Sequence, residues 1–457
     1  MDIKKYFLIG IGGAGMSAIA LVLKGTGHQV RGSDMKESRY THLLRNEGIE
    51  VIIGHKSSNL KNDEVVVYSA AIPEDNVELA EARKEKFEVI ARSDALAQIL
   101  NSKNGIAISG THGKTTTTSM VGLLLRGLSL DPTIIIGGEL NELGSNARYG
   151  EGKYVVAEAC ESDGSFLKYN PYISVVTNIE DDHMDHYKNH KALEDSFYQF
   201  MKNTHKDGFI IADGDCLELK NKKLGKNIWL YGTSKENDMY AENIKYKNFG
   251  SSYQLVFKRD GNLQRLNVKL SVPGIHNVRN SLAALSVCCC LGLDMGKSVE
   301  LLQYFTGAKR RFEKKGEKRG ALIFDDYAHH PTEVSATLEA AFQDKKNRLI
   351  TVFQPHRYSR LSHLLGKFGT CFKHSDILII TDVYGAGEQP LPGITGKALV
   401  DEVIESGYAK RLAYFPQLDQ ISLYLERNIE KDDMVLLMGA GDITRVTEDL
   451  LKGSKYE

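Results

Sequence analysis

The sequence predicts an α/β protein of three domains, each with a mainly parallel, doubly wound sheet. Three observations carry this. Short apolar runs alternate with helix-patterned stretches, the order that gives parallel strands joined by crossover helices. Gly-rich turns stand between such runs and helices at residues 10–15 and 110–113. The 457 residues hold 42 Gly but only 9 Pro, and at roughly 100–200 residues per domain the length suits three domains.

Composition narrows the function classes. Lys and Arg total 58 and Asp and Glu 59, so the net charge is −1. That balance argues against nucleic-acid binding by bulk charge and against a polybasic membrane anchor. Lys4 and Lys5 precede an apolar stretch that imitates a secretion signal. Gly10, Gly12, Gly13 and Gly15 interrupt it, so it reads as strand, turn and helix. No other segment is long enough to span a bilayer. Six Cys occur without metal-type spacing, and Cys288, Cys289 and Cys290 read as packed thiols of a buried helix. A cytoplasmic, reducing setting follows as the expectation.

In the first domain, residues 1–100, YFLIGIG reads as a strand and MSAIALVLKGTG as a helix. HQVRGSD and EVVVYSAAI are further strands. The turn at residues 10–15 matches G-x-G-x-x-G, whose glycines let a phosphate approach the helix N-terminus. Asp34 lies 24 residues after Gly10, where an acid can bond a ribose hydroxyl. NAD and other nucleotide diphosphates meet the same physics there, so both stay open.

The segment 93–104 reads as a connecting helix and turn that leads into the second domain, residues 101–308. GIAISG, YVVAEAC and YISVVTNI read as strands. YQLVFKRDGNLQRLNVKLSV reads as an antiparallel hairpin around Asp260 and Gly261, a small annex to the central sheet. NVRNSLAALSVCCCLGL returns to helix. Gly110-Thr111-His112-Gly113-Lys114-Thr115 is a short phosphate loop between strand and helix. The longer G-x-x-x-x-G-K-[ST] form fails because position 108 is Ile. Lys114 can reach the β and γ oxygens of a nucleotide and Thr115 can hold Mg²⁺. Glu158 ends the strand YVVAE and His183 follows the next strand; both suit the same ion. Asp181, Asp182 and Asp185 read as a solvated acidic turn.

In the third domain, residues 309–457, the strands are ALIFDD, LITVFQ, ILIITDV and MVLLMG. ALIFDDYAHHPTE and VFQPHRYSR place Asp325, Asp326, Tyr327, His329, His330, His356, Arg357 and Arg360 at strand ends, where open sheets bind ligands. Arg357 and Arg360 are one helical turn apart and can clamp a carboxylate.

GTHGKTTTT, EACESDGSF, TNIEDDHMDHY, GIHNVRN, RRFE, DDYAHHPTE and FQPHRYSR together resemble the Mur ligases of peptidoglycan synthesis. The resemblance runs from the first Gly-rich turn to MGAGDI near the C-terminus. It implies a UDP-binding Rossmann-like domain, a P-loop-type ATPase domain and a C-terminal Rossmann-like domain. It implies an ATP-dependent ligase adding L-alanine to the lactyl carboxylate of UDP-N-acetylmuramate through an acyl phosphate, releasing ADP and phosphate. By the same resemblance, Gly12, Gly13, Ala14, Gly15, Asp34, His55, Ser69 and Ala70 surround the UDP-sugar. Gly110, Thr111, His112, Gly113, Lys114, Thr115 and Thr116 hold ATP phosphates, and His276, Asn277 and Asn280 lie near the adenine. Thr115, Glu158 and His183 hold Mg²⁺. Arg311 and Asp326 reach over from the third domain and, with Lys114, are the candidate catalytic residues. Tyr327, His329, Arg357 and Arg360 form the amino-acid pocket.

Several family members carry a carbamylated lysine after the D-H-x-D segment, about where Phe197 stands here. A cytoplasmic monomer or homodimer is expected, with no nucleic acid or membrane partner. The runner-up is the recycling ligase that joins a ready-made tripeptide to the same UDP-sugar; FQPHRYSR, VYGAGE and MGAGDI favour the single-amino-acid member. An NAD-dependent oxidoreductase is the alternative from another class, and it leaves Lys114, Glu158 and His183 without a role. A third class is a non-catalytic, ATP-driven binding switch, and the apparent amino-acid pocket argues against it.

Overall fold

Three sheets follow one another along the chain, in a computed structural model that describes residues 3–140, 145–216, 219, 227–259, 261–408 and 410–452. The first sheet is wholly parallel, in the order Glu50–Ile53, Gln29–Asp34, Lys5–Ile9, Glu64–Tyr68, Glu88–Ala91. Its order reverses beside Lys5–Ile9, which opens a crevice at the C-terminal strand ends. The helix Ala14–Gly25 starts there from the Gly-rich turn.

Among the described residues the central sheet has ten strands. Its parallel heart is Phe209–Asp213, Ile173–Val176, Asn104–Ser109, Tyr154–Glu158 and Thr133–Leu140. These strands are buried on both faces, as parallel strands between helices must be. Ile106, Ile108 and Val175 pack with the helices Lys114–Gly127 and Ile275–Cys290. Ala107, Val155 and Val176 face the helices Arg92–Asn101 and His190–Lys202, in a cluster continuous with the first domain's core. Phe197 is fully buried there, edge-on to Phe166 at 5.3 Å. The predicted annex is present: Gly250–Arg259 and Asn262–Leu270 pair antiparallel. They extend the central sheet through Met239–Lys247, which runs parallel to Ile228–Gly232. Asp260, at the predicted turn, lies outside the described residues.

The third sheet runs Glu313–Lys318, Ala321–Asp326, Met434–Met438, Leu349–Phe353, Ile377–Ile380, Arg411–Tyr414. It is parallel except for its first strand. That strand, EKKGEK, has almost no apolar face to mark it in the sequence. Cys288 is buried in the helix Ile275–Cys290, where burial pushes its thiol up to about 12. Among the described residues no helix is long and apolar enough to cross a membrane.

Candidate active site

The phosphate loop leaves the strand Asn104–Ser109 and enters the helix Lys114–Gly127. Two glycines in it are obligatory. Gly110 has φ +133°, and a Cβ there would meet Thr177 Oγ1 at 2.0 Å. Gly113 has φ +82°, and a Cβ there would meet Asn280 Oδ1 at 2.4 Å. The end of the neighbouring strand pins the loop: Thr111 N–H donates to Asn178 O at 3.1 Å and His112 N–H to Asn178 Oδ1 at 2.9 Å. The first-turn N–H groups of the helix have no intrahelical acceptor and face outward for an anion. Lys114 Nζ folds back over the loop, donating to Gly110 O at 2.5 Å, Thr111 O at 3.1 Å and Glu161 Oε1 at 2.8 Å. Burial works against its charge most strongly, but Glu161, Cys160 and Glu158 together outweigh burial and hold the ammonium above its ordinary range.

Glu161 was not singled out by the sequence reading, though it stands in EACESDGSF. It is 1% exposed, and its Oε2 is buried with no hydrogen-bond partner. His183 Nε2 lies 3.7 Å from Glu161 Oε1 and 3.5 Å from Asp182 Oδ2. Burial lowers the His183 pKa, which keeps the imidazole neutral and able to ligate. Glu158 accepts from Gly137 N–H at 2.7 Å, and burial pushes its carboxyl up. A half-buried carboxylate with raised pKa, the Thr115 hydroxyl beside it, a neutral imidazole and an orphaned carboxylate oxygen fit a hard divalent cation.

A cavity of about 330 Å³ opens beside the loop, between the central and third domains. His276, Asn277, Asn280, Tyr231, Phe305 and Arg311 line it. Burial lowers His276 to about 4, and its Nδ1 has no partner. Asn277 Nδ2 donates to Pro273 O at 2.7 Å, which fixes the amide against the helix start.

A larger cleft of about 680 Å³ joins all three domains and contains Lys114, Glu158, His183, Arg311, Tyr327 and His329 in its wall. Arg39 and Tyr40 of the first domain close one side. Arg311 NH1 stands 3.4 Å from Glu333 Oε1, with its guanidinium 5.3 Å from the Tyr327 ring centroid. Asp326 accepts from Phe312 N–H and Ala328 N–H, each at 2.7 Å. Burial raises Asp326 to about 6, against the pull of Arg311. His329 is held neutral, lowered to about 3 by burial.

The acidic turn differs from its expected form. Asp182 is not solvated: it is 8% exposed, and Arg360 grips it with Nε to Oδ1 at 3.2 Å and NH2 to Oδ2 at 3.3 Å. Burial alone would raise the Asp182 pKa, but the guanidinium drives it well below the usual carboxylate range. Asp181 pairs with His190 and Lys367, while Asp185 is half exposed. The two pocket arginines also part company. Arg360 lines the large cleft with Tyr327 and His329. Arg357 turns to Glu388 at 3.4 Å and Asp185 at 3.9 Å, outside that cleft.

In the first domain Gly12 N–H donates to Asp34 Oδ2 at 2.9 Å, and Gly10 has φ +78°. Gly13 caps the helix Ala14–Gly25 without a side chain, and a Cβ on Gly15 would meet Arg92 NH1 at 2.9 Å. Ser69 and Ala70 form the turn after the strand Glu64–Tyr68. His55 is enclosed in a network with Ser33 Oγ at 3.0 Å and Glu78 Oε2 at 2.7 Å, and Glu78 is fully buried. Glu78 had no signal in the sequence beyond a helical position.

A phosphate loop whose lysine faces a cleft closed by three α/β domains defines a nucleotide-dependent enzyme with more than one substrate. Three family models match in succession: the Mur ligase family catalytic domain at residues 5–104, the Mur ligase middle domain at 108–288 and the Mur ligase glutamate ligase domain at 310–441. The chain belongs to the Mur ligase family. It is 44% identical to the UDP-N-acetylmuramate–L-alanine ligase of Desulforamulus reducens over 98% of this chain and 97% of that one. It is 42% identical to the protein of the same name from Caldicellulosiruptor saccharolyticus, over 98% and 99%. The solved UDP-N-acetylmuramate-alanine ligase of Thermotoga maritima superposes with a TM-score of 0.82 at 29% identity, covering 99% of both chains. A murein peptide ligase from Psychrobacter arcticus shares the fold, with a TM-score of 0.71 at 23% identity over 98% of both.

Proposed function

We propose that the protein joins L-alanine to the lactyl carboxylate of UDP-N-acetylmuramate using ATP, a cytoplasmic step of peptidoglycan precursor synthesis. The observation that carries this reading is full-length identity above 40% to ligases named for that reaction, together with a phosphate loop facing a three-domain cleft. A lactyl carboxylate oxygen attacks the γ-phosphorus, and ADP leaves. The alanine amine then attacks the acyl carbon; inorganic phosphate leaves and the amine loses a proton. Lys114 and Arg311 neutralise the charge that builds on the transferred phosphoryl group. His276, Asn277 and Asn280 seat the adenine, and Gly12, Gly13, Ala14, Gly15, Asp34, His55, Ser69 and Ala70 the UDP-sugar. Tyr327, His329 and Arg360, which share the large cleft, orient alanine, while Arg357 stands outside it against Glu388 and Asp185. Thr115, Glu158 and His183 would hold Mg²⁺, which when bound offsets phosphate charge. Enclosure by three domains keeps water from the acyl phosphate.

The test is product analysis with each substrate omitted in turn. ADP and phosphate should accumulate only with UDP-N-acetylmuramate and L-alanine both present. AMP as the stoichiometric product, or turnover with a tripeptide but not with alanine, would overturn the reading.

A further inference from the structure

His112 of the phosphate loop meets His330 of the third domain across the domain boundary. Its Nε2 lies 3.1 Å from His330 Nδ1 and 3.6 Å from Glu180 Oε2, and that oxygen is 3.9 Å from His330 Nδ1. Three donor atoms thus form a triangle with edges of 3.1–3.9 Å. Ligands about 2.0–2.1 Å from one tetrahedral ion stand roughly 3.4 Å apart, so a single ion fits above this triangle with little movement.

The outer contacts are those a ligating imidazole requires. His112 Nδ1 faces Glu333 Oε1 at 3.2 Å, and His330 Nε2 faces the Asp181 carbonyl oxygen at 3.3 Å. The near nitrogens share a hydrogen bond as the structure stands; with an ion bound, the acceptor on each far nitrogen would hold the ring proton there and free both near lone pairs for the ion. Thr332 Oγ1 donates to Glu180 Oε2 at 2.5 Å and leaves that oxygen a second lone pair. The Thr332 N–H reaches His330 Nδ1 only at 3.4 Å. Glu180 and Glu333 bring two negative charges to the two imidazoles. An outer cavity of about 480 Å³, lined by Glu180, His190, His330 and Lys367, gives an ion a path in.

We propose that His112, Glu180 and His330 bind a divalent transition-metal ion of the zinc class, distinct from the Mg²⁺ of the nucleotide site, and that this ion clamps the phosphate loop to the third domain. Two imidazoles and one carboxylate are a zinc-type donor set, whereas Mg²⁺ prefers oxygen ligands and retained waters.

The test is Co²⁺ titration of the chelator-stripped full-length protein, without nucleotide and with excess Mg²⁺, read by visible absorption. One equivalent should give a tetrahedral d–d band that Zn²⁺ displaces. His330→Ala and Glu180→Gln should each weaken binding by more than about tenfold. Glu333→Gln should weaken it by about 10–100-fold as an outer-sphere change. Glu158→Gln should leave the band unchanged. Circular dichroism of each variant checks folding, and Glu180→Gln, which keeps the volume, decides the matter if His330→Ala does not fold. Unchanged affinity in a folded His330→Ala or Glu180→Gln variant overturns the site. So does loss of the band in Glu158→Gln alone, or its absence from the native protein.

Discussion

Lys114 illustrates how one side chain can be poised for a ligand while bonded to the protein. Its three acceptors, two loop carbonyls and Glu161, bond the charged ammonium within the protein while it stays half-buried in the cleft wall. Lys114→Ala should abolish ADP formation yet leave UDP-N-acetylmuramate affinity within about threefold, because the two nucleotide sites stand on separate sheets. Calorimetry with the folded variant reads this, and loss of UDP-sugar binding would show the sites to be misplaced. Arg360 carries a second prediction. It lines the cleft beside Tyr327 and His329, and Asp182 already orients its fork. A charge-assisted contact from it to the alanine carboxylate is worth roughly 1.5–3 kcal/mol, or about 10–150-fold in binding. Arg360→Lys should therefore raise the alanine KM by at least about tenfold, since an ammonium cannot reproduce the fork. Arg357→Lys, outside the cleft, should do less. If the KM for ATP or the UDP-sugar moves instead, the arginine braces the domains and the alanine site lies nearer Tyr327 and His329.

Strand-to-helix turns are the elements that build the site, and glycine geometry sets how much change they tolerate. Gly113→Ala meets both a left-handed φ and a Cβ 2.4 Å from Asn280 Oδ1. Gly292 has a similar φ of +70° but open space around its Cβ. Gly292→Ala should cost about 1–2 kcal/mol from backbone conformation alone. Gly113→Ala should cost more and should also remove nucleotide binding; urea unfolding and ADP titration of both variants separate the two effects. Elements of this kind were legible in the sequence because glycine spacing and buried apolar runs are local signals. The strands ALIFDD, LITVFQ and MVLLMG announced themselves for the same reason. EKKGEK and the strand Arg411–Tyr414 did not, because an edge strand is paired on one side and its side chains are half in water. The candidate site was legible where a motif compresses it, as in Lys114, Thr115 and Glu158. It was illegible where partners come from distant segments. Asp182 looked like one acid among several in a turn, and only its burial against Arg360, 178 residues away, singles it out. Glu161 and Glu333 stood inside quoted motifs, yet nothing local marked them as the partners of Lys114 and His112.

At the scale of the molecule, the domains are tied by buried polar contacts as well as by apolar packing. Asp182 and Arg360 join the central and third domains in a pair with each residue 8% exposed. Removing one partner of such a pair typically costs about 3–5 kcal/mol, because the other charge stays buried alone. Asp182→Ala should therefore destabilise by that order in urea unfolding. Asp185→Ala, one turn along and half exposed, should change stability by less than about 1 kcal/mol. On the opposite side, the first domain's helix Ala14–Gly25 lies on the central strand Ser145–Arg148. Asn146 Nδ2 donates to the Ala14 carbonyl and, at 3.1 Å, to Ser17 Oγ. The helix that starts at the glycine-rich turn thus rests its far side on its neighbour. For anyone dissecting the protein this has a practical meaning. A fragment beginning near residue 104 would be born with the Asn146 amide and an apolar flank bare, and it should clump unless the missing piece is supplied in trans.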